Sequence, residues 1–357
     1  MSRFFSDKLK KLVPYTPGEQ PKNMEYIKLN TNESPFAPSP KAVEYAKRAI
    51  ELSRLYSDPE CTDLVSIAAE HFGINKDEIL FTNGSDEILN FAFMAFCDND
   101  HPAYFPDITY GFYTVFADVN NVPYTEIPLK NDFCIDLDDY RDLCGVIFIA
   151  NPNAPTGIAL SLDQIESIIK ANPESVVVID EAYVDFGAES AVPIIKKYDN
   201  LLVTQTFSKS RSMAGARLGF GIGCKELIKD LNTIKYSTNP YNVNRVTMAA
   251  GKGSLEDREY TEENCKKIIA TRERTKIKLK ELGFEMTESL ANFIFAKHPE
   301  MAGEDIYLRL KEKGILVRHF SKENLTDYNR ITVGTDIEMD SLIKTLEEIL
   351  GETYENN

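Results

Sequence analysis

An amide, a carboxylate and an amine each follow a short apolar run in the middle of the 357-residue chain. Asn151-Pro152-Asn153-Ala154-Pro155-Thr156-Gly157 comes after residues 146–149. Asp180-Glu181-Ala182-Tyr183 comes after 176–179, and Phe207-Ser208-Lys209 after 201–206. Runs this rich in β-branched residues suit strands covered on both faces. In an open parallel sheet, ligands bind beyond the carboxyl ends of the strands. If the three runs are neighbours, Asn153, Asp180 and Lys209 meet on one edge. A lysine amine there can form a Schiff base with an aldehyde. A carboxylate can hold a ring nitrogen protonated, and an amide or a phenol can donate to a ring oxygen.

Two more features extend the set. Gly84-Ser85-Asp86 opens a helical pattern over 86–95, and a helix start offers backbone N–H groups and partial positive charge to a phosphate. Arg217, eight residues past Lys209, supplies a cation. Pyridoxal 5'-phosphate (PLP) needs all of these partners, so it is the expected cofactor. Singly, each residue has an ordinary structural use: a surface lysine, a helix cap, a turn residue or a salt bridge. Their series carries the reading. Gly219-Phe220-Gly221-Ile222-Gly223 looks like a nucleotide loop. No helical pattern opens after its third glycine, and no acidic residue about 20 positions on ends a strand. We expect a strand packed closely against its neighbours, and no dehydrogenase.

The elements that must position these groups follow from periodicity. Helical patterns occupy 40–55, 62–72, 161–170, 255–282, 303–313 and 339–349. Strand patterns recur at 284–296, 315–320 and 330–334. The strand–helix–strand order over 146–179 favours a parallel sheet. The expected class is α/β, with a mostly parallel central sheet flanked by helices and a smaller α+β domain. Residues 1–35 read as an irregular arm packing on the small domain, 36–269 as the large domain and 270–357 as the small C-terminal one. The polar tail 352–357 is expected to fray.

The balance of 56 Asp and Glu against 40 Lys and Arg, a net charge of −16, disfavours nucleic acid and anionic lipid as partners. A regulator built on such a scaffold would need a basic DNA-binding segment, and neither end carries one. No apolar run reaches the roughly 20 residues of a membrane span, and the first residues lack a signal-peptide core. The cysteines at 61, 97, 134, 144, 224 and 265 form no CxxC pair, and the histidines at 71, 101, 298 and 319 are scattered. We expect reduced thiols, a cytoplasmic setting and no metal site.

The series Asn83-Gly84-Ser85-Asp86-Glu87, Asn151 to Gly157, Asp180-Glu181-Ala182-Tyr183 and Ser208-Lys209 with Arg217-Leu218-Gly219 resembles the fold-type-I PLP aminotransferases. Leu29-Asn30-Thr31-Asn32-Glu33-Ser34-Pro35, Tyr56-Ser57-Asp58-Pro59, Gly314-Ile315-Leu316-Val317-Arg318 and Arg330-Ile331-Thr332-Val333-Gly334 resemble the histidinol-phosphate aminotransferase branch. The likeness runs from about residue 12 to 350. It implies that Lys209 carries the Schiff base and moves the proton, and that Asp180 pairs with the pyridine nitrogen. It implies that Asn153 and Tyr183 donate to the ring oxygen and that Tyr110 stacks on the ring. Gly84, Ser85, Asp86, Thr206, Ser208 and Arg217 would bind the phosphate, with Tyr56 reaching it from the partner subunit of a homodimer. Arg330 would clamp a substrate carboxylate bidentately. Arg318, near Tyr15 and Asn32, would lie at the distal end, and Asn153 would also face the substrate. The implied substrates are a small amino donor and a 2-oxo acid. Ala154 stands where a second Asn is common, and Ala216 where a larger residue is usual. These motifs do not separate transamination of histidinol phosphate from threonine-phosphate decarboxylation or aromatic transamination.

Overall fold

The computed structural model describes residues 2–10, 12–22 and 24–355. The N-terminal arm is mostly irregular, with a 3₁₀ turn at Asp7–Leu9 and a two-residue strand β1 (Ile27–Lys28).

The apolar runs build the large sheet. Its strands are β2 (Ile79–Thr82), β3 (Ala103–Pro106), β4 (Tyr124–Ile127), β5 (Val146–Ala150), β6 (Val177–Asp180), β7 (Leu201–Thr206) and β8 (Gly219–Gly223). Their spatial order is β2-β8-β7-β6-β5-β3-β4. Strands β3 to β7 pair in parallel, and β8 runs antiparallel to both neighbours. Alternate residues feed two cores. Ile147, Ile149, Val177, Ile179 and Val203 join one cluster, while Val146, Phe148, Val178 and Leu202 join the other. Both faces are therefore apolar, which is why these strands show no polar alternation.

Helices α1 (Pro40–Ala49), α2 (Thr62–Phe72), α3 (Ser85–Phe96), α4 (Phe112–Asn120), α5 (Leu162–Ala171), α6 (Lys225–Thr238) and α7 (Arg245–Glu256) cover the sheet. The first core is closed by α1, α2, α5 and α7, the second by α3, α4 and α6. Ser161 starts α5 with a reciprocal cap: its side chain accepts from Gln164 N, and Gln164 returns the bond.

After α7 comes α8 (Arg258–Glu281) and a second layer. Its strands are β9 (Glu285–Met286), β10 (Phe293–Lys297), β11 (Ile315–Leu316), β12 (Arg318–His319) and β13 (Tyr328–Thr332). Four of them form an antiparallel sheet in the order β12-β13-β10-β9. Strand β11 pairs instead with β1, so the arm is stitched to this layer. Helices α9 (Gly303–Glu312) and α10 (Asp336–Glu355) pack with α8 around a separate core.

Six expectations change. A helix does open past the glycine-rich run, α6 starting at Lys225, two residues after Gly223. The pattern over 255–282 is two helices, because α7 ends at Glu256 and α8 starts at Arg258. Residues 284–296 are a hairpin, because the chain folds back and Ala296 pairs with Met286. Residues 315–320 split between two sheets at Val317. Helical structure over 40–55 stops at Leu52, α1 giving way to a 3₁₀ turn. The C-terminal helix continues through Glu355, against the expected fraying from 352. Asn356 and Asn357 lie outside the described residues.

The glycine-rich run is strand β8, wedged between β2 and β7. A Cβ on Gly219 would lie 2.3 Å from Ser85 N and 2.4 Å from Gly84 C. Backbone meets backbone there, so nothing can yield. Gly219→Ala is expected to destabilise the fold by about 1–3 kcal/mol, read as a lower urea midpoint at unchanged slope.

Candidate active site

Parallel register places the chemistry. Ala150 lies opposite Asp180, and Asp180 opposite Thr204. The ends of β5, β6 and β7 are therefore close to flush. A cavity of about 340 Å³ opens beyond them, lined by Ser85, Asp86, Tyr110, Asp180, Tyr183, Thr206, Ser208, Lys209 and Arg217 among others. A second cavity, of about 480 Å³, continues under the arm and includes Tyr15, Asn32, Arg318 and Arg330. Thr31, Tyr110, Ala154, Tyr183 and Lys209 border both. Lys209 thus stands at the junction, its Nζ donating to the Thr31 carbonyl at 3.2 Å.

Asp180 is 4% exposed. Its Oδ2 accepts from Tyr113 at 3.1 Å, while Oδ1 is buried with no hydrogen-bond partner. Burial pushes the carboxyl up to about 7, offset in part by the Tyr113 bond, and the charge of Asp86 adds to the rise. An unpaired carboxylate oxygen at a cavity wall fits a protonated ring nitrogen. The neighbouring Glu181 points to the other face. There it accepts from Ser190 Oγ, Ala191 N and Gln205 Nε2 at 2.7, 2.5 and 2.8 Å, and burial also raises it to about 7.

Ser85 and Asp86 line the same cavity and open α3 after Gly84, and no side chain among the described residues caps that helix start. Gly84 has φ of +82°, and a Cβ there would meet the Arg217 guanidinium at 2.7 Å. Thr206 Oγ1 and Ser208 Oγ are 2.9 Å apart, and Arg217 reaches Ser208 Oγ at 3.5 Å. This cradle of hydroxyls, helix terminus and guanidinium fits a phosphate. The Asp86 side chain positions it: Oδ1 accepts from Tyr110 at 2.7 Å and Oδ2 from Arg217 at 3.0 Å.

Other expected residues are placed as follows. Tyr183 Oη accepts from Asn32 Nδ2 at 2.9 Å, which leaves its own hydrogen to donate. The Asn153 amide already donates to Ile108 O at 2.9 Å and Thr156 Oγ1 at 3.1 Å. It lines neither cavity, so reaching a ring oxygen requires exchanging one of those bonds. Asn32 is buried and bonds Thr332 as well as Tyr183. It positions Tyr183 more than it offers a free group. Tyr15 stacks on Phe112 at 4.3 Å. Tyr56 is 79% exposed, stacks on Tyr241 at 4.6 Å and borders neither cavity.

Arg318 and Arg330 are cross-strand partners of β12 and β13. Like charges directly opposite repel. Neither guanidinium has an acidic partner among the described residues. Arg330 donates to Asn30 O at 3.1 Å, its Nε is buried and unpaired, and desolvation pulls its pKa below the ordinary value. Arg318 donates to the arm carbonyls of Thr16 and Pro17 at 3.2 and 3.4 Å.

Residues 24–346 match the model of the aminotransferase class I and II family. The chain belongs to the class I and II aminotransferases. This aminotransferase is 53% identical to the histidinol-phosphate aminotransferase of Brachyspira hyodysenteriae, over 98% of this chain and 99% of the other. It is 46% identical to that of Clostridium acetobutylicum, over 98% and 100%. The solved Sinorhizobium meliloti histidinol-phosphate aminotransferase, a complex with pyridoxal-5'-phosphate, has the same fold. The TM-score is 0.89 at 24% identity, covering 99% of both chains. The family's cofactor is PLP, and the donor set above fits it.

Sequence reading missed Tyr113, three residues past Tyr110 at the start of α4. Only the burial of a phenol beside a strand-end carboxylate marks it. It also missed the link from Lys209 through Thr31 to Glu33, whose Oε2 accepts from Thr31 Oγ1 at 2.6 Å and Lys28 Nζ at 2.5 Å.

Both Asp180 and Glu181 hold raised pKa values in the fold, so the folded state binds more protons than the unfolded one. Stability of the cofactor-free protein should then fall as pH rises from the ordinary carboxylate range to about 7. The slope is at most about 1.4 kcal/mol per pH unit per group. Urea midpoints from pH 4 to 8 measure it. Asp180→Asn should remove one group's share and leave the share of Glu181.

Proposed function

We propose that this aminotransferase converts L-histidinol phosphate and 2-oxoglutarate to imidazole acetol phosphate and L-glutamate, by ping-pong transamination in histidine biosynthesis. The relatives named above support the substrate pair. The observation that carries it is the arginine pair beside Lys209: two guanidiniums without acidic partners among the described residues, in the cavity that adjoins the cofactor cradle. Such a pair suits substrates carrying a phosphate or two carboxylates.

Bound PLP supplies an electron sink for the bonding pair released at the substrate α-carbon. The chain does the rest. Asp180 Oδ1 holds the ring-nitrogen proton. Tyr110, fixed by Asp86, covers a ring face. Tyr183 donates its free hydrogen to the ring oxygen, joined by Asn153 once its amide is exchanged. Thr206, Ser208, Arg217 and the Gly84-Ser85-Asp86 helix start anchor the phosphate. Lys209 Nζ, at the junction of the cavities, takes the α-proton and returns it. Arg330 takes the carboxylate of glutamate or the phosphate of histidinol phosphate. Arg318 takes the distal end by giving up the Thr16 and Pro17 carbonyls, beside Tyr15. The arm over this cavity excludes water.

The working unit in this reading is a homodimer in the cytoplasm, with Tyr56 reaching the partner's phosphate cradle. The exposed apolar side chains Ile50, Leu52, Leu55, Tyr56 and Tyr241 support it. Tyr56→Phe should then weaken PLP binding, although Tyr56 borders no cavity in its own subunit.

Half-reactions test the function. Histidinol phosphate and glutamate should each change the visible absorption of the purified yellow protein. Lys209→Ala should slow both by about 10²-fold to 10⁴-fold or more. Arg330→Ala should slow the glutamate half-reaction, and a wild-type rate would remove its assigned role. Carbon dioxide released from threonine phosphate, without turnover of histidinol phosphate, would overturn the transaminase reading.

A further inference from the structure

This inference rests on the cofactor reading and concerns how the ring-nitrogen carboxylate is set. Asp180 has one side-chain hydrogen-bond partner among the described residues, the Tyr113 hydroxyl at 3.1 Å from Oδ2. Tyr113 is 0% exposed. Its ring is held edge-on by Tyr110 at 5.8 Å, and by Phe105 and Phe148 at 5.6 and 5.8 Å. The phenol therefore cannot swing out to water. With Oδ2 taken, Oδ1 is the oxygen left for the cavity.

We propose that Tyr113 is a positioning residue for the cofactor: by fixing Oδ2 it presents Oδ1 to the pyridine nitrogen and keeps their shared proton on the ring. A hydrogen bond to the charged form of a carboxylate lowers its basicity. Asp180 sits in a dry site where burial and a second carboxylate act the other way. That carboxylate is Asp86 on α3, held by Tyr110 and Arg217. Glu181 is engaged on the opposite face by Ser190, Ala191 and Gln205. In register, β5 and β7 present Ala150 and Thr204, neither charged. Lys209 and Arg217 are the cations lining the same cavity, and neither bonds Asp180. The Ala182 backbone N–H also lowers the basicity of Asp180, and among the described residues Tyr113 is the one side chain that does so by direct contact. Being neutral, it does so without cancelling the charge that the ring nitrogen needs, as an arginine would.

The test uses two probes, PLP and its 1-deaza analogue, in which a CH replaces the ring nitrogen. Dissociation constants of both are measured on cofactor-free wild type and on Tyr113→Phe, which keeps the ring packing. The ¹⁵N resonance of ring-labelled PLP is recorded on each holoenzyme. Tyr113→Phe should weaken PLP about tenfold and the deaza analogue by less than about twofold. Its ¹⁵N signal should move toward that of neutral pyridine. Equal loss for both probes, or an unmoved ¹⁵N signal, would overturn the proposal and leave the cofactor reading standing. Wild type binding both probes equally would sink the Asp180 assignment and the proposal with it. Tyr113→His, which keeps a ring and a donor, is the second variant. It should hold the wild-type ratio between the probes, and a ratio as low as that of Tyr113→Phe would also overturn the proposal.

Discussion

Burying a carboxylate without a cation beside it is unfavourable, and Asp180 is buried that way at the end of a fully covered strand. The surrounding structure makes this tolerable and useful. Tyr113 satisfies one oxygen and leaves the other to a ligand. Strands β5 and β7 flank it in parallel register, so the loops that follow them open onto the same edge. The same cavity is lined by the Arg217 guanidinium and by the residues of the uncapped α3 start, a donor set that fits a phosphate. A cofactor with a basic ring nitrogen at one end and a phosphate at the other satisfies both groups at once.

The same logic of incompletely paired charge recurs in the adjoining cavity. Arg318 and Arg330 face each other across two strands, and backbone carbonyls stand in for anions. An arm whose strand β1 pairs with β11 holds part of that arrangement in place. Glycine does the corresponding work in the backbone. Gly219 lets β8 touch the turn before α3, and Gly84 leaves room for the Arg217 guanidinium. The cradle is therefore a packing constraint as much as a set of donors.

Much of this was legible in the chain itself. The runs over 146–149, 176–179 and 201–206 read as buried strands because both faces are covered, and the structure bears that out. The helical pattern over 161–170 is α5, and the glycine-rich run is a strand as expected, although helix α6 opens at Lys225, two residues past its third glycine, where no helical pattern is expected. Less was legible where pairing partners lie far apart in sequence. One apolar pattern over 315–320 serves two sheets, pairing with residues 27–28 and 329–330. Local periodicity carries no record of such partners. The reversal within 284–296 is by contrast a local hairpin, missed because its apolar pattern runs on across the turn.

By itself the sequence determined the cofactor class, because Lys209, Asp180, Arg217 and the Gly84-Ser85-Asp86 helix start form a series at the ends of recognisable elements, although each alone has an ordinary structural use. The tertiary structure decided how those groups are conditioned. It gave Asp180 a phenol, turned Asp86 into a clamp on Tyr110 and Arg217, committed the Asn153 amide to Ile108 and Thr156, and set Arg318 opposite Arg330. Those outcomes depend on burial and on contacts between residues distant in sequence, and only the folded chain brings such residues within hydrogen-bonding range.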